Sequence, residues 1–268
     1  MTDAPPQARD TWQRKHLPKW GCVHWLAIVT GLALVATLIL PPATSHRESG
    51  PRTRSQNQLK HLGLAAHNYH AKHGSFPPHV GDTSVSGPGN PAPSWQTAML
   101  PYMDEVKLWR AYDGTKRFDD PANAAVVATE VATFIDPHPY HEGRNIEGGF
   151  GLSHFAGNVR VLGEEGAGRL SGIRDGTTQT ILAGQIGAFP KPWADPSNLR
   201  DTAAGFGTAP QQFGGPHPGG GQVAMCDGSV IFISETIDPA IFAALGTPAG
   251  GERLKGGPYG GDWTLDGE

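Results

Sequence analysis

The sequence predicts an α+β fold, in which helices lead into strands joined by turns and long loops. Three observations carry that prediction. An apolar run and then an amphipathic helical pattern occupy the N-terminal quarter. Two apolar runs flank an Asp-Gly pair near the C-terminus. Gly (37) and Pro (24) are both near twice their average usage, which disfavours a helical bundle and favours many turns.

The apolar run, Val23 to Leu40, contains no Lys, Arg, Asp or Glu, and its polar side chains are His24, Thr30 and Thr37. At about 1.5 Å per helical residue it reaches roughly 27 Å, enough to cross a bilayer's hydrocarbon core. Pro41 and Pro42 end or kink it, because neither donates a backbone hydrogen bond. The roughly 225 residues beyond are within the size range of one domain.

The positive-inside count is a tie: Arg9, Arg14, Lys15 and Lys19 precede the run, and Arg47, Arg52, Arg54 and Lys60 follow it. A short head with no fold of its own stays in the cytoplasm more easily than a large domain does, which places the large domain outside. The rival reading is a secretory signal cleaved near Ala43-Thr44-Ser45.

From about Arg52 the period becomes helical again. Leu59, Leu62, Ala66 and Tyr69 form an apolar stripe beside Gln56, Lys60 and Asn68, closed by Gly74 and Pro77-Pro78. Ser94 then caps a second helix marked by Trp95, Met99, Met103 and Val106 and interrupted or kinked at Pro101. A further helical turn or two spans Ala122 to Val131, and Pro137, Pro139, Gly143 and Gly148-Gly149 mark irregular chain.

In the C-terminal half, Asn158 to Leu162 alternates as a strand would, and Thr180 to Ala183 is β-prone after an Asp175-Gly176 turn. Gln222 to Cys226 and Ser229 to Ile233 flank Asp227-Gly228, a strong hairpin signal read as a type I′ turn. Ile237 to Leu245 reads as a short helix started by Asp238 and Pro239, and the Gly-rich end from Gly246 as loop.

Composition excludes some functions. Net charge is −4, with a pI near 6.3, so the chain carries no basic footprint for nucleic acid. Cys22 and Cys226 fall at the membrane edge and deep in the soluble domain, so no disulfide framework exists.

Five segments in order resemble one family. Leu59 to Pro78 carries His67, Asn68, Tyr69, His70, Gly74, Phe76, Pro77 and Pro78. Ser94 to Tyr102 carries Trp95, Pro101 and Tyr102, and Asp175 to Leu182 carries Asp175, Gly176 and Thr177. Trp193 stands between these and the fourth segment, His217 followed after nine residues by Asp227, Gly228 and Ser229. Gly250-Gly251-Glu252 completes the set. Together these resemble a large bacterial family of unknown function, abundant in planctomycetes, with a prepilin-type N-terminus and a His-x(9)-Asp-Gly motif.

The resemblance implies a type IV pilin-like or pseudopilin-like fold. A long N-terminal helix would be half membrane anchor and half packed on an antiparallel sheet, with long Gly/Pro-rich loops. Residues 1–20 would then form a cytoplasmic head, 21–42 the transmembrane helix, 43–78 its amphipathic continuation and 79–268 a pilin-like domain outside the cytoplasmic membrane. Its partners would be the membrane and other pilin-like subunits or copies of itself.

The chain departs from the prepilin pattern at Gly21-Cys22-Val23-His24-Trp25-Leu26, which lacks the Phe after Gly and the Glu five residues after it. This degenerate site predicts that the anchor is retained. The family often has Cys where Ser55 and Asp136 stand and Glu where Gln185 stands, so loss of both Cys is consistent with loss of one pairing.

The residues that could carry catalysis or a metal have simpler readings beside the chemical ones. His61, His67, His70 and His73 crowd one helix and His79 follows, but no carboxylate accompanies them. His217 and Asp227 suggest an acid–base or metal pair. The simpler reading makes Asp227 a turn residue and His217 a loop tie to backbone carbonyls. A Ca²⁺ site of loop carbonyls with Asp227 or Asp175 is conceivable, yet no EF-hand spacing is present.

No Gly-x-Ser-x-Gly elbow, His-Glu-x-x-His or phosphate-binding loop occurs; Ser153-His154 is an isolated pair and Cys226 reads as a small buried hydrophobe. The sequence therefore predicts no catalytic residue, cofactor or enzyme. Two functions remain: an anchored structural protein, or an anchored module binding a solute or glycan on Trp95, Trp109, Trp193 or Trp263. Burial of those tryptophans against the first helix favours the former, and an open cleft lined by two of them the latter.

Overall fold

A computed structural model describes residues 21, 25–31, 46–77, 90–138, 146–163, 168–257 and 261–265. The chain divides into two units, Met1–His46 and Arg47–Glu268. In the first, residues 25–31 are helical and exposed, with the Thr30 hydroxyl donating to the carbonyl of Leu26 at 2.8 Å. Most of the apolar run lies outside the described residues, as do Cys22, Pro41, Pro42, Pro78 and His79. Among the described residues no helix is long and apolar enough to cross a membrane.

The second unit has α+β architecture. Helix α1 (His46–His73) buries Leu59, Leu62, Ala66 and Tyr69 to 2 % exposure or less, as the stripe predicts. Each such leucine contributes about 2 kcal/mol by leaving water. The helix stops where Gly74, at φ 75°, donates its N–H to the His70 carbonyl at 2.8 Å.

Helix α2 (Trp95–Met99) is capped by Ser94 Oγ, which accepts from the Thr97 amide at 2.9 Å. Of the interruption or kink expected at Pro101, the structure has the interruption, which divides the pattern into two helices. A 3₁₀ turn over Leu100–Tyr102 and a left-handed Asp104 (φ 62°) reverse the chain before α3 (Val106–Ala111). Helix α4 (Ala124–Val127) follows, behind a 3₁₀ turn capped by Asp120.

Strands β1 (Ile146–Glu147) and β2 (Phe150–Ser153) are joined through Gly148-Gly149, both at positive φ. Strand β3 (Phe155–Asn158) then ends where a strand was expected to continue. Asn158 Oδ1 accepts from the Arg160 amide at 3.0 Å and so caps a helical turn, α5 (Val159–Leu162).

The remaining elements are β4 (Ile181–Gln185), β5 (Lys191–Pro192), β6 (Leu199–Arg200), β7 (Gly220–Met225), β8 (Val230–Ser234) and α6 (Pro239–Ala244), the last capped by Asp238. Beyond them, β9 (Leu254–Gly257) pairs with β10 (Gly261–Leu265). The Gly-rich end expected to be loop thus contains a hairpin.

The main sheet runs β6-β3-β4-β7-β8, antiparallel except for the β3–β6 pair. Its strands alternate faces as a two-sided sheet requires. Ala224, Cys226 and Val230 join α1, Trp95 and Trp193 in one core, whereas Val223, Met225, Ile231 and Ile233 join Phe213 and Phe242 in the other. Helix α1 and the chain after residue 79 therefore share one core.

The Asp-Gly hairpin forms where expected but with a different turn. Asp227 does not have positive φ, whereas Gly228 stands at 86°. The Met225 amide bonds the Ser229 carbonyl at 2.8 Å, enclosing a three-residue loop, and Gly228 N–H returns to the Met225 carbonyl at 2.9 Å. That is a turn followed by a left-handed glycine, the three-residue alternative to type I′. Asp227 Oδ1 favours it by accepting the amide of Ser229 at 2.8 Å.

Candidate functional site

The residues quoted for the resemblance come together in pairs. Gly63 of α1 lies against the β7–β8 turn: a methyl at Gly63 would stand 3.3 Å from Cα of Gly228, and one at Gly228 would stand 3.5 Å from the His67 ring. The backbone N–H of Asp227 donates to the Thr177 carbonyl at 3.1 Å, and Cys226 N–H to the Thr180 carbonyl at 2.8 Å. Asp175 accepts the amides of Gly250 at 2.7 Å and Gly251 at 3.1 Å, one on each carboxylate oxygen. Gly176, at φ 107°, turns the chain between these ties.

The α1 histidines fan out instead of converging. His67 and His70 pack on Phe76, with ring centroids 5.8 and 5.3 Å away, and His73 stacks on Tyr69 and meets the Tyr102 hydroxyl at 3.0 Å. His61 and Asn68 are exposed. His67 Nε2 is buried with no hydrogen-bond partner among the described residues. His70 Nε2 accepts from the Leu170 amide at 3.4 Å, and burial, with His67 and Arg169 nearby, holds its pKa below the ordinary value of 6.5.

The tryptophans are core or core-edge residues. Trp95 Nε1 donates to the Asn198 carbonyl at 3.1 Å and Trp193 Nε1 to that of Thr129 at 2.9 Å; both rings are buried. Trp109 packs at the edge of the same core and Trp263 at the edge of the other. Pro77 is buried and Pro101 half-buried.

His217 and Asp227 do not meet. They flank opposite ends of β7, which at about 3.3 Å per residue sets them roughly 16 Å apart. Asp227 is exposed and tied to Ser229, whose hydroxyl donates to it at 2.7 Å. His217 is 6 % exposed and enters a polar cluster that local sequence patterns do not reveal.

The centre of that cluster is Gln185. Its Oε1 accepts the Gln222 amide at 2.7 Å, which fixes the orientation of the side-chain amide because a backbone N–H can only donate. Nε2 therefore donates both to Asp136 Oδ2 and to His217 Nε2, the latter at 3.3 Å. His217 Nε2 must be an acceptor, so its ring is neutral with the proton on Nδ1.

The same logic makes His154 neutral, since its Nδ1 accepts the Asp136 amide at 3.0 Å. Asp136 Oδ1 accepts the His138 amide at 2.9 Å, and the His138 ring stands edge-on to His217 at 5.1 Å. One buried carboxylate is thus held by an amide and a backbone N–H beside two neutral imidazoles.

Helix α1 closes over this region. Gln222 Nε2 donates to the Arg52 carbonyl at 3.1 Å and Gln58 Nε2 to that of Ile135 at 2.6 Å, with the buried Ser55 one helical turn from each. Ser55, on this helix, and Asp136, the two positions where the resembled family often has Cys, are both buried.

Chemically, the cluster is directed inward. Gln185 has every hydrogen-bonding group engaged, and Asp136, His154 and Gln185 are at most 2 % exposed. Among the described residues no three His, Cys, Asp or Glu side chains converge as a metal-ligand set. Cys226 is fully buried, and burial, with Asp227 nearby, drives its thiol far above the ordinary value, away from nucleophilic use.

Of this cluster, the sequence singles out His217, shows Ser153-His154 as an isolated pair and marks Asp136 and Gln185 only as departures from a family pattern. The local signal available was Asp136-Pro137-His138, a side-chain-capped turn.

No curated protein and no solved structure matches the chain. A family model described as "Protein of unknown function (DUF1559)" matches residues 44–198 and 197–240. The match takes in α1, the main sheet and every paired segment up to α6, and the chain belongs to this family.

Proposed function

We propose that the protein is a single-pass, membrane-anchored, pilin- or pseudopilin-like protein with a structural or assembly role outside the cytoplasmic membrane. The observation that carries this reading is the use made of the resemblance residues. Asp175, Thr177, Trp193 and Asp227 spend their polar groups on other parts of the same domain, and His67 and Gly228 pack against each other. Such residues hold a scaffold together. The burial of Trp95 and Trp193 in the α1 core argues in the same direction. The apolar Val23–Leu40 run supplies the anchor, and the short basic head before it stays in the cytoplasm.

Two measurements test the proposal. Protease shaving of intact cells, combined with crosslinking, should degrade the large domain from outside and trap oligomers. Protection of the domain until the cells are lysed would overturn the orientation. Mass spectrometry of the mature N-terminus should find the head still attached. A chain starting at Cys22, methylated or not, would mean that a prepilin peptidase accepts this site.

A further inference from the structure

A cleft of about 470 Å³ opens beside the turn that follows β5, within the size range of small-molecule sites. Its walls are apolar, formed by Pro91, Pro196 and the ring of Phe118, which is steadied by Phe150 at 5.8 Å between centroids. Arg117, Asp195 and Ser197 are the polar residues of its lining.

The charged groups each keep a free valence. Arg117 commits Nε and Nη2 to Asp119, at 2.9 and 3.1 Å, and no described residue bonds its Nη1. Asp195 Oδ1 accepts the Ser197 amide at 2.8 Å, and no described residue bonds Oδ2. The cations behind Asp195 direct their hydrogen bonds to other groups, although Arg200 Nε has no partner among the described residues and both cations feel the Asp195 charge. Lys191 Nζ holds the Ser197 carbonyl at 2.8 Å and hydroxyl at 3.0 Å, and the buried Arg200 donates to the carbonyls of Leu199 and Phe189. The Asp195–Asn198 turn is closed by Asn198 N–H on the Asp195 carbonyl at 3.0 Å, so carboxylate and hydroxyl are held in place before any ligand arrives.

One positive and one negative group on an apolar cleft match a molecule carrying both opposite charges and an apolar body. We infer that this cleft binds a small zwitterion with an apolar side chain, a free amino acid being the simplest. Its carboxylate meets Arg117 Nη1, its ammonium meets Asp195 Oδ2 and its side chain lies on Phe118 between the two prolines. This goes beyond the structural role proposed above and does not depend on the anchor or its orientation.

Isothermal titration of the full-length chain in detergent micelles, with L-phenylalanine and L-leucine, tests it. Binding is expected for the zwitterions. N-acetyl-L-phenylalanine and L-phenylalanine amide, each missing one charge, should bind about tenfold more weakly or worse. Asp195→Asn and Arg117→Met should each cost about the same factor. Both variants should unfold at the wild-type temperature, since Asn keeps the turn's acceptor and Arg117 is exposed. No heat with either zwitterion, or binding that ignores both substitutions, overturns the inference. Preference for the neutral sugar D-glucose over both amino acids also overturns it.

Discussion

The two ends of β7 hold the two residues most easily mistaken for a catalytic pair, and they are built in opposite ways. At the Asp227 end the chain is pinned by backbone: a left-handed glycine, amides donated to Thr177 and Thr180, and a close approach to Gly63 of α1. At the His217 end it is pinned by side chains: Gln185 distributes three hydrogen bonds among Asp136, His217 and the Gln222 backbone. Spacing in sequence therefore says little about partnership here. The nine residues between His217 and Asp227 span a strand and carry one residue to each end of it.

The comparison is broken most severely at Gln185. Replacing it with Leu strands the Asp136 carboxylate and the Gln222 N–H in a dry interior, and should cost about 3 kcal/mol in urea unfolding. Gln185→Glu sets a second carboxylate against Asp136 and should also destabilise at neutral pH. Adding Asp136→Asn restores one charge and one donor, so the double variant should recover most of the loss. Additive costs in that cycle would show that the cluster is not a unit.

At the other end, Gly228→Val should cost about 2 kcal/mol, because a β-branched residue resists a φ of 86°. Asp227→Asn keeps the acceptor for Ser229 and should stay within about 0.5 kcal/mol of wild type. Equal losses from the two substitutions would contradict the glycine-centred turn.

How much of this was legible depended on range. The α1 stripe through Leu59, Leu62, Ala66 and Tyr69 is a local period, and the Asp238 cap and Asp-Gly hairpin are local chemistry, so each could be read directly. Asn158 looked like part of an alternating strand because Val159–Leu162 is apolar at alternate positions. The side-chain cap that converts it to helix leaves the same pattern. The hairpin after Gly246 was hidden because glycine-rich chain reads as loop until a partner strand exists. The turn type was missed because Asp-Gly suits both a two-residue loop and a three-residue loop ending in glycine. The polar cluster was the least legible, since Asp136, Gln185 and His217 come from three separate segments and share no spacing rule.

His217→Gln separates a structural role from a metal role. Glutamine can still accept from Gln185 Nε2, so the loss should be about 1 kcal/mol. Metal analysis should find no stoichiometric transition metal in either protein. Metal present in the wild type and absent from the variant would make His217 a ligand and the cluster a functional centre.

The smallest expected effect lies on α1, where His70 joins the helix end to Leu170. Its pKa is lowered, by burial first and then by His67 and Arg169, so the folded state binds a proton less readily than the unfolded chain. Stability from this group is therefore intact above the unfolded value of 6.5 and falls as pH drops below it, until the folded pKa is reached. The Leu170 amide sharpens the effect, because a protonated ring could no longer accept it. The informative quantity is the difference between two proteins, which cancels the contributions of other groups. Unfolding midpoints measured from about pH 7 to pH 5 should fall more steeply for wild type than for His70→Gln. Parallel slopes would show that the His70 contact forms without excluding the proton, and would leave the glycine crossing at Gly63 and Gly228 as the contact that seats the helix end.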